Sequence, residues 1–201
     1  MIAAGVGIVG LPLLEALAQR AQDPFWIALW RFVAFLGGSA FFTAALPLLF
    51  AFLPWPRALR VALAFGLAVV AGEWLKAAVD RPRPDPALFG LDGPLEHGGE
   101  FESAGFPSGH AAVGTAFWGT LARMAGGRRA KAAAALLVTA LCFSRLALLR
   151  HDLLDVGGGL LLGLLVLGLV ALLDRGPARR LGELPWVERA GLWLLLSFSL
   201  Q

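Results

Sequence analysis

Residues Ala132–Leu173 read AAAALLVTALCFSRLALLRHDLLDVGGGLLLGLLVLGLVALL. Two apolar runs, Ala132–Leu149 and Leu153–Leu173, meet at a short polar junction. A bilayer core takes about 20 apolar residues per crossing helix. The stretch therefore reads as two consecutive membrane helices. It nevertheless holds Arg145, Arg150, His151, Asp152 and Asp155. A turn in water accounts for those at the junction. It does not account for Arg145, which lies inside the first run.

The rest of the chain has the same character. Of 201 residues, 58% are hydrophobic and 15% charged, against about 25% charged in a soluble domain. The fold class expected is all-α: a polytopic transmembrane helix bundle of about six spans, forming one domain over residues 1–201. The spans are Ile2–Ala18, Phe25–Leu53, Ala58–Val79, Pro107–Ala125, Ala132–Leu149 and Leu153–Leu173. The first is short and carries Pro12 and Glu15, so it either crosses or lies in the interface. It has no basic region before it, so a retained helix is expected rather than a cleaved signal. The second is long enough to tilt or to kink at Pro47. Trp186–Leu200, in a C-terminal region 174–201, is either an amphipathic anchor or a seventh, imperfect span. Cys142 is the single cysteine, which excludes a disulfide within the chain; packing is its expected role. Trp26, Trp30, Trp55, Trp74 and Trp186 lie near segment ends, where an interfacial belt would place them.

Charge sorts the connectors. Arg57 and Arg60 lie in one. Arg123, Arg128, Arg129 and Lys131 lie in a second, and Arg175, Arg179, Arg180 and Arg189 follow the last span. The positive-inside rule makes that side cytoplasmic, with both termini on it. The net charge of +3 is thus accounted for by topology, and nucleic acid is not an expected partner. The long connector Asp80–Phe106 carries Asp80, Asp85, Asp92, Glu96, Glu100 and Glu102 and faces outward. Glu96, His97, Glu100 and Glu102 have irregular spacing with glycines between, and read as an acidic loop rather than a cation site.

Ionisable residues at membrane depth are costly and point to function. Three clusters lie at the outer ends of spans. Lys76–Pro84 (KAAVDRPRP) places Lys76 in a last helical turn and Arg83 on a stiff exit held by Pro82 and Pro84. Gly105–His110 (GFPSGH) makes a helix start, with Ser108, Gly109 and free N–H groups that favour an anion, and His110 in the same turn. Ser144–Asp155 supplies Ser144 and Arg145, then His151, with Asp155 in helical register to hold the imidazole. Each cluster alone has a bland structural reading. Together they give fixed cations, N–H groups and two histidines, which fits phosphoryl transfer with no metal cage. The residues alone do not choose which histidine attacks.

With these positions in place, the sequence resembles the type 2 phosphatidic acid phosphatase (lipid phosphate phosphatase) superfamily. The resemblance rests on Lys76, six residues, Arg83-Pro84; Pro107-Ser108-Gly109-His110; and Ser144-Arg145, five residues, His151, three residues, Asp155. It is to the bacterial integral-membrane branch, similar to undecaprenyl-diphosphatase and phosphatidylglycerophosphatase enzymes. It implies a metal-independent, cofactor-free lipid phosphatase of the cell (inner) membrane, with its site facing outward. The implied substrate is undecaprenyl diphosphate, with phosphatidylglycerophosphate or phosphatidic acid as the other choices. The implied partners are that lipid and the bilayer, with no obligate protein. His151 is implied as nucleophile through a phosphohistidine, Asp155 as its orienter and His110 as proton donor. Lys76, Arg83, Ser108, Gly109 and Arg145 are implied to bind the phosphoryl oxygens. Leu149, Arg150 and Asp152 depart from the small residues common around the histidine, and are expected to alter head-group selection. Arg81 and Arg150 read as solvated exit charges rather than lipid contacts. Glu73 is expected to pair with Lys76 along its helix. The competing class is a non-enzymatic lipid or anion carrier using the same cations. It has no need of an acid held against a histidine.

Overall fold

The computed structural model describes residues 7–21, 23–95 and 104–174. Seven α-helices and one 3-10 turn account for the regular structure there: α1 (Leu11–Ala18), α2 (Pro24–Phe35), α3 (Ser39–Phe52), α4 (Trp55–Val79), the turn Pro86–Phe89, α5 (Gly109–Ala125), α6 (Gly127–Ala147) and α7 (Leu153–Leu173). Four stretches are long and apolar enough to cross a membrane: Pro24–Phe52, Trp55–Val79, Gly127–Ala147 and Leu153–Leu173. The expected span Pro107–Ala125 is α5, whose 17 residues reach about 25 Å. It is the central helix, packed against α4, α6 and α7.

Two expectations change. Within the candidate span Ile2–Ala18 the described helix α1 has eight residues, about 12 Å, too short to cross. Leu14 and Leu17 instead pack with Ala111, Leu146, Leu149 and Val156 over one end of the bundle. The second span breaks at Leu36–Gly38, not at Pro47, which lies inside the continuous α3. There the N–H groups of Leu36, Gly37 and Gly38 turn back to Val33, Ala34 and Phe35. Trp118 Nε1 donates to the Leu36 carbonyl at 3.2 Å. By propensity two glycines cost less than one proline, but a packed membrane helix tolerates the backbone bond that Pro47 removes.

Helices α4 to α7 run alternately up and down. The ends of α4 and α6 and the starts of α5 and α7 meet at one end. At the other end Asp174 pairs with Arg60 at 2.6 Å and with Arg123, tying α4, α5 and α7. Between them lies an apolar core of Phe42, Val61, Phe65, Val113, Phe117 and Val166. Helices α5 and α7 approach most closely where α7 carries Gly159 and Gly163. A Cβ on Gly159 would lie 2.4 Å from the Ser108 carbonyl oxygen, and one on Gly163 2.5 Å from that of Ala112. Small residues four apart allow this contact between membrane helices. Leu136, Leu165 and Leu172 stay exposed, as a lipid-facing surface requires.

Gly7–Val9 lies at the α7 start, the end opposite Asp174. Among the described residues, Gly7 and Asp174 thus lie at different ends of the bundle; the two termini of the chain fall outside the described residues. The loop residues Glu96, His97, Glu100 and Glu102, the basic tail from Arg175 and Trp186–Leu200 lie outside the described residues.

Candidate active site at one end of the bundle

Helix α4 stops at Asp80, whose left-handed φ of 45° turns the chain aside. Pro82 and Pro84 keep Arg81–Pro84 extended. The Gly105 N–H donates to the Arg81 carbonyl at 2.6 Å, which brings the start of α5 alongside. Ser108 is the N-cap of α5, and its N–H donates to the Asp155 carbonyl at 2.9 Å. Its hydroxyl is fully buried and has no hydrogen-bond partner among the described residues. A Cβ on Gly109 would lie 3.7 Å from Lys76 Nζ. Lys76 pairs with Glu73 at 2.7 Å, as the helical spacing suggested.

The junction between α6 and α7 is compact. Leu149 has φ 55°, unusual for a leucine. This turn lets the N–H groups of Arg150 and His151 both return to the Arg145 carbonyl, at 3.0 and 3.3 Å. Helix α7 then begins at Leu153 with Asp152 as its N-cap. Asp152 Oδ1 accepts from the N–H groups of Leu154 and Asp155, while Asp155 Oδ2 accepts from the Asp152 N–H at 3.2 Å, a reciprocal capping box.

His151 is buried between two partners. Its Nδ1 is 3.4 Å from Asp155 Oδ2, and its Nε2 is 3.2 Å from Arg83 Nη1. A guanidinium only donates, so Nε2 must accept, and the neutral ring carries its proton on Nδ1, toward the carboxylate. Burial lowers the imidazole well below its usual range. The nearby charges of Arg145, Arg83, Arg150 and Lys76 push the same way. His151 is accordingly neutral at pH 7, with the Nε2 lone pair facing the cations. His110 is in electrostatic contact with His151, Arg145, Arg150 and Arg83. It sits under the Gly37–Gly38 break, where a Cβ on Gly38 would be 3.5 Å from its Nε2. The break and the second histidine therefore meet.

All eight candidate residues, Lys76, Arg83, Ser108, Gly109, His110, Arg145, His151 and Asp155, lie at this end. Arg145 is fully buried on the last turn of α6. The Ser144 hydroxyl is directed elsewhere: it donates to the Leu141 carbonyl at 2.6 Å. Two residues differ from their sequence reading. Arg81 is not a solvated exit charge. It is 6% exposed and bonds Asp155 Oδ1 and Asp152 Oδ2, each at 2.6 Å. Asp152 is the α7 cap and the second partner of Arg81. Arg150 is buried at the junction, not solvated. Alternation gave one clue to Arg81: residues two apart on an extended segment share a side, so Arg81 and Arg83 reach the same region. Among the described residues no group of three or more His, Cys, Asp and Glu could hold a metal.

Three comparisons bear on this arrangement. A search of curated proteins finds no match. A transmembrane PAP2-type phosphatidylglycerolphosphate phosphatase from Bacillus subtilis is similar in structure, with a TM-score of 0.68 and 25% identity over 83% of this chain and 87% of that one. LpxE from Aquifex aeolicus has the same fold, with a TM-score of 0.67 and 24% identity over 80% of this chain and 93% of that one. The model of the PAP2 superfamily matches residues 57–176, more than half of the chain and all the clusters above. The chain belongs to the PAP2 superfamily, as a multi-pass helical membrane protein and a phosphoric ester hydrolase.

Proposed function

We propose that the protein removes a phosphate from a membrane lipid phosphate or diphosphate, with undecaprenyl diphosphate favoured over phosphatidylglycerophosphate and phosphatidic acid. One observation carries the reading: the His151 ring lies between Asp155 on Nδ1 and Arg83 on Nε2. Phosphate oxygens would take the Arg83 guanidinium and bring phosphorus to the Nε2 lone pair. Attack forms the P–N bond and breaks the P–O bond to the leaving oxygen, which takes a proton from His110. Water then attacks phosphorus as His110 accepts its proton. The P–N bond breaks, inorganic phosphate leaves and both histidines are restored. Asp155 balances the charge that His151 gains. Lys76, Arg83, Arg145, the Ser108 hydroxyl and the Gly109 N–H hold the phosphoryl oxygens. The N–H groups of the α5 first turn add to them without side-chain charge.

Among the described residues, Lys76, Arg81, Arg83, Arg145 and Arg150 gather at this end beside Glu73, Asp152 and Asp155. Cations gathered at one site suit a head group rich in phosphoryl oxygens. Arg57, Arg128, Arg129 and Lys131 lie toward the opposite end. The positive-inside rule then turns the site outward in the cell membrane, with Asp174 cytoplasmic and Gly7–Val9 outward. The 201 residues act as one catalytic domain. Phosphate release by the purified protein from undecaprenyl diphosphate, phosphatidylglycerophosphate, phosphatidic acid and a soluble phosphate ester, with chelator in excess, tests the reading. The expected result is turnover of a lipid substrate that chelation leaves undiminished. Binding of these lipids without release of phosphate would replace the hydrolase by a carrier.

A further inference from the structure

Arg81 and Arg83 are two residues apart, yet their guanidiniums act on opposite sides of the His151–Asp155 pair. Arg83 faces Nε2, where phosphorus would arrive. Arg81 lies behind the carboxylate. Its Nη1 bonds Asp155 Oδ1, and its Nη2 bonds Asp152 Oδ2 and the Gly7 carbonyl, the last at 3.1 Å. The backbone of Gly7–Val9 closes over this group. The Val9 N–H donates to Asp152 Oδ2 at 2.9 Å, and the Leu153 N–H donates to the Val9 carbonyl at 3.1 Å.

We infer that Arg81 is a positioning residue for the proposed reaction: it fixes the Asp155 carboxylate so that Oδ2 stays on His151 Nδ1, with Gly7–Val9 as the strap that seals the group. The inference rests on the proposed function and deepens it. Asp155 is fully buried. Rotation about its Cβ–Cγ bond would exchange the two oxygens and turn Oδ2 away from the ring. A planar guanidinium held at a second point by Asp152 opposes that rotation, because its fork cannot follow one carboxylate without leaving the other. The two guanidinium bonds also compensate the burial of the two carboxylates. Lysine would keep the charge but give one compact donor group in place of the fork. Among the described residues the bonds of Arg81 all lie on the Asp155 side, so it orients the nucleophile without binding the phosphate.

The test is a double-mutant cycle on the full chain purified in detergent. With the lipid that the wild type hydrolyses best, Arg81→Met is expected to lower kcat roughly 10- to 100-fold, the range for residues that orient a functional ligand, with KM nearly unchanged. Arg81→Lys is expected to recover part of the loss. Arg81→Met on top of Asp155→Asn is expected to add little, because both remove one device. Losses that multiply, or a raised KM with kcat kept, would overturn the inference. Should Arg81→Met fail to fold, Arg81→Lys and Asp152→Asn carry the same cycle. A wild type that releases no phosphate would refute the function and leave this inference to a second readout. The chain has three histidines, so imidazole 15N spectra can be assigned by substitution. Arg83 holds the Nδ1–H tautomer in both proteins, so the readout is the Nδ1–H resonance of His151, expected to shift in Arg81→Lys as the contact with Asp155 Oδ2 loosens. An unchanged resonance would overturn the role of Arg81.

Discussion

Both ends of the bundle are closed by arginine–aspartate clusters, and the two are built differently. At the Asp174 end, the side chains of Arg60 and Arg123 are 31% and 37% exposed. Water shares their charge, and the pairs join three helix ends. At the α7 start, Arg145, Asp152 and Asp155 are fully buried, and Arg81, Arg150 and His151 nearly so. Burying charge gains little stability over apolar packing, and removing one partner costs about 3–5 kcal/mol. The first cluster has the form of a staple. The second is too costly for a staple, and its cost makes sense only if a ligand or a reaction uses it.

The sharpest way to break the comparison is at His151. His151→Ala is expected to lower phosphate release on the order of 10⁴-fold or more, since His151 is the proposed nucleophile. His110→Ala is expected to cost roughly 10²- to 10⁴-fold, the range for a lost general acid. Both variants should unfold in detergent near the wild-type temperature, as each removes a ring from a site held together by other contacts. Full activity in either would remove that histidine from the mechanism.

Much of this was legible before any coordinates. The apolar runs dictate membrane helices, and the spacing from Lys76 to Asp155 gathers the eight candidate residues. What stayed hidden depends on contacts distant in sequence. Arg81 looks like an exit charge because nothing local reveals that Gly7, Asp152 and Asp155 surround it. Asp152 looks like an ornament of the junction because the helix start could be drawn at His151. The structure begins α7 two residues later and makes Asp152 its cap. Pro47 is the stronger helix breaker by propensity, but Gly37–Gly38 is where the chain bends. That is where His110 and Trp118 pack against it.

The middle of the bundle links the two ends, and there the effect should fall on stability first. Gly159→Val places a Cβ 2.4 Å from the Ser108 carbonyl oxygen, a backbone atom that cannot step aside. The expected cost is about 1–3 kcal/mol, read as a lower unfolding temperature in detergent. Activity should fall with it, because Ser108 begins the helix that bears His110. Gly157 has nothing within 4 Å of its would-be Cβ, so Gly157→Val is the matched control, with no comparable loss expected. Equal effects of the two substitutions would remove the close crossing of α5 and α7 as the frame of the site.

The smallest effect belongs to the opposite end. Asp174→Asn removes the carboxylate charge from Arg60 and Arg123 together. Both arginines are partly solvated and stay so, which leaves no buried charge without a partner. The change in stability should stay within about 1 kcal/mol and shrink as salt is raised, as for other exposed pairs. Phosphate release per folded protein should be unchanged, since the substitution lies at the far end of α7 from His151. A loss of activity without a loss of stability would mean that the two ends communicate through α7. The staple would then be part of the catalytic frame, and the contrast between the ends would be one of exposure alone.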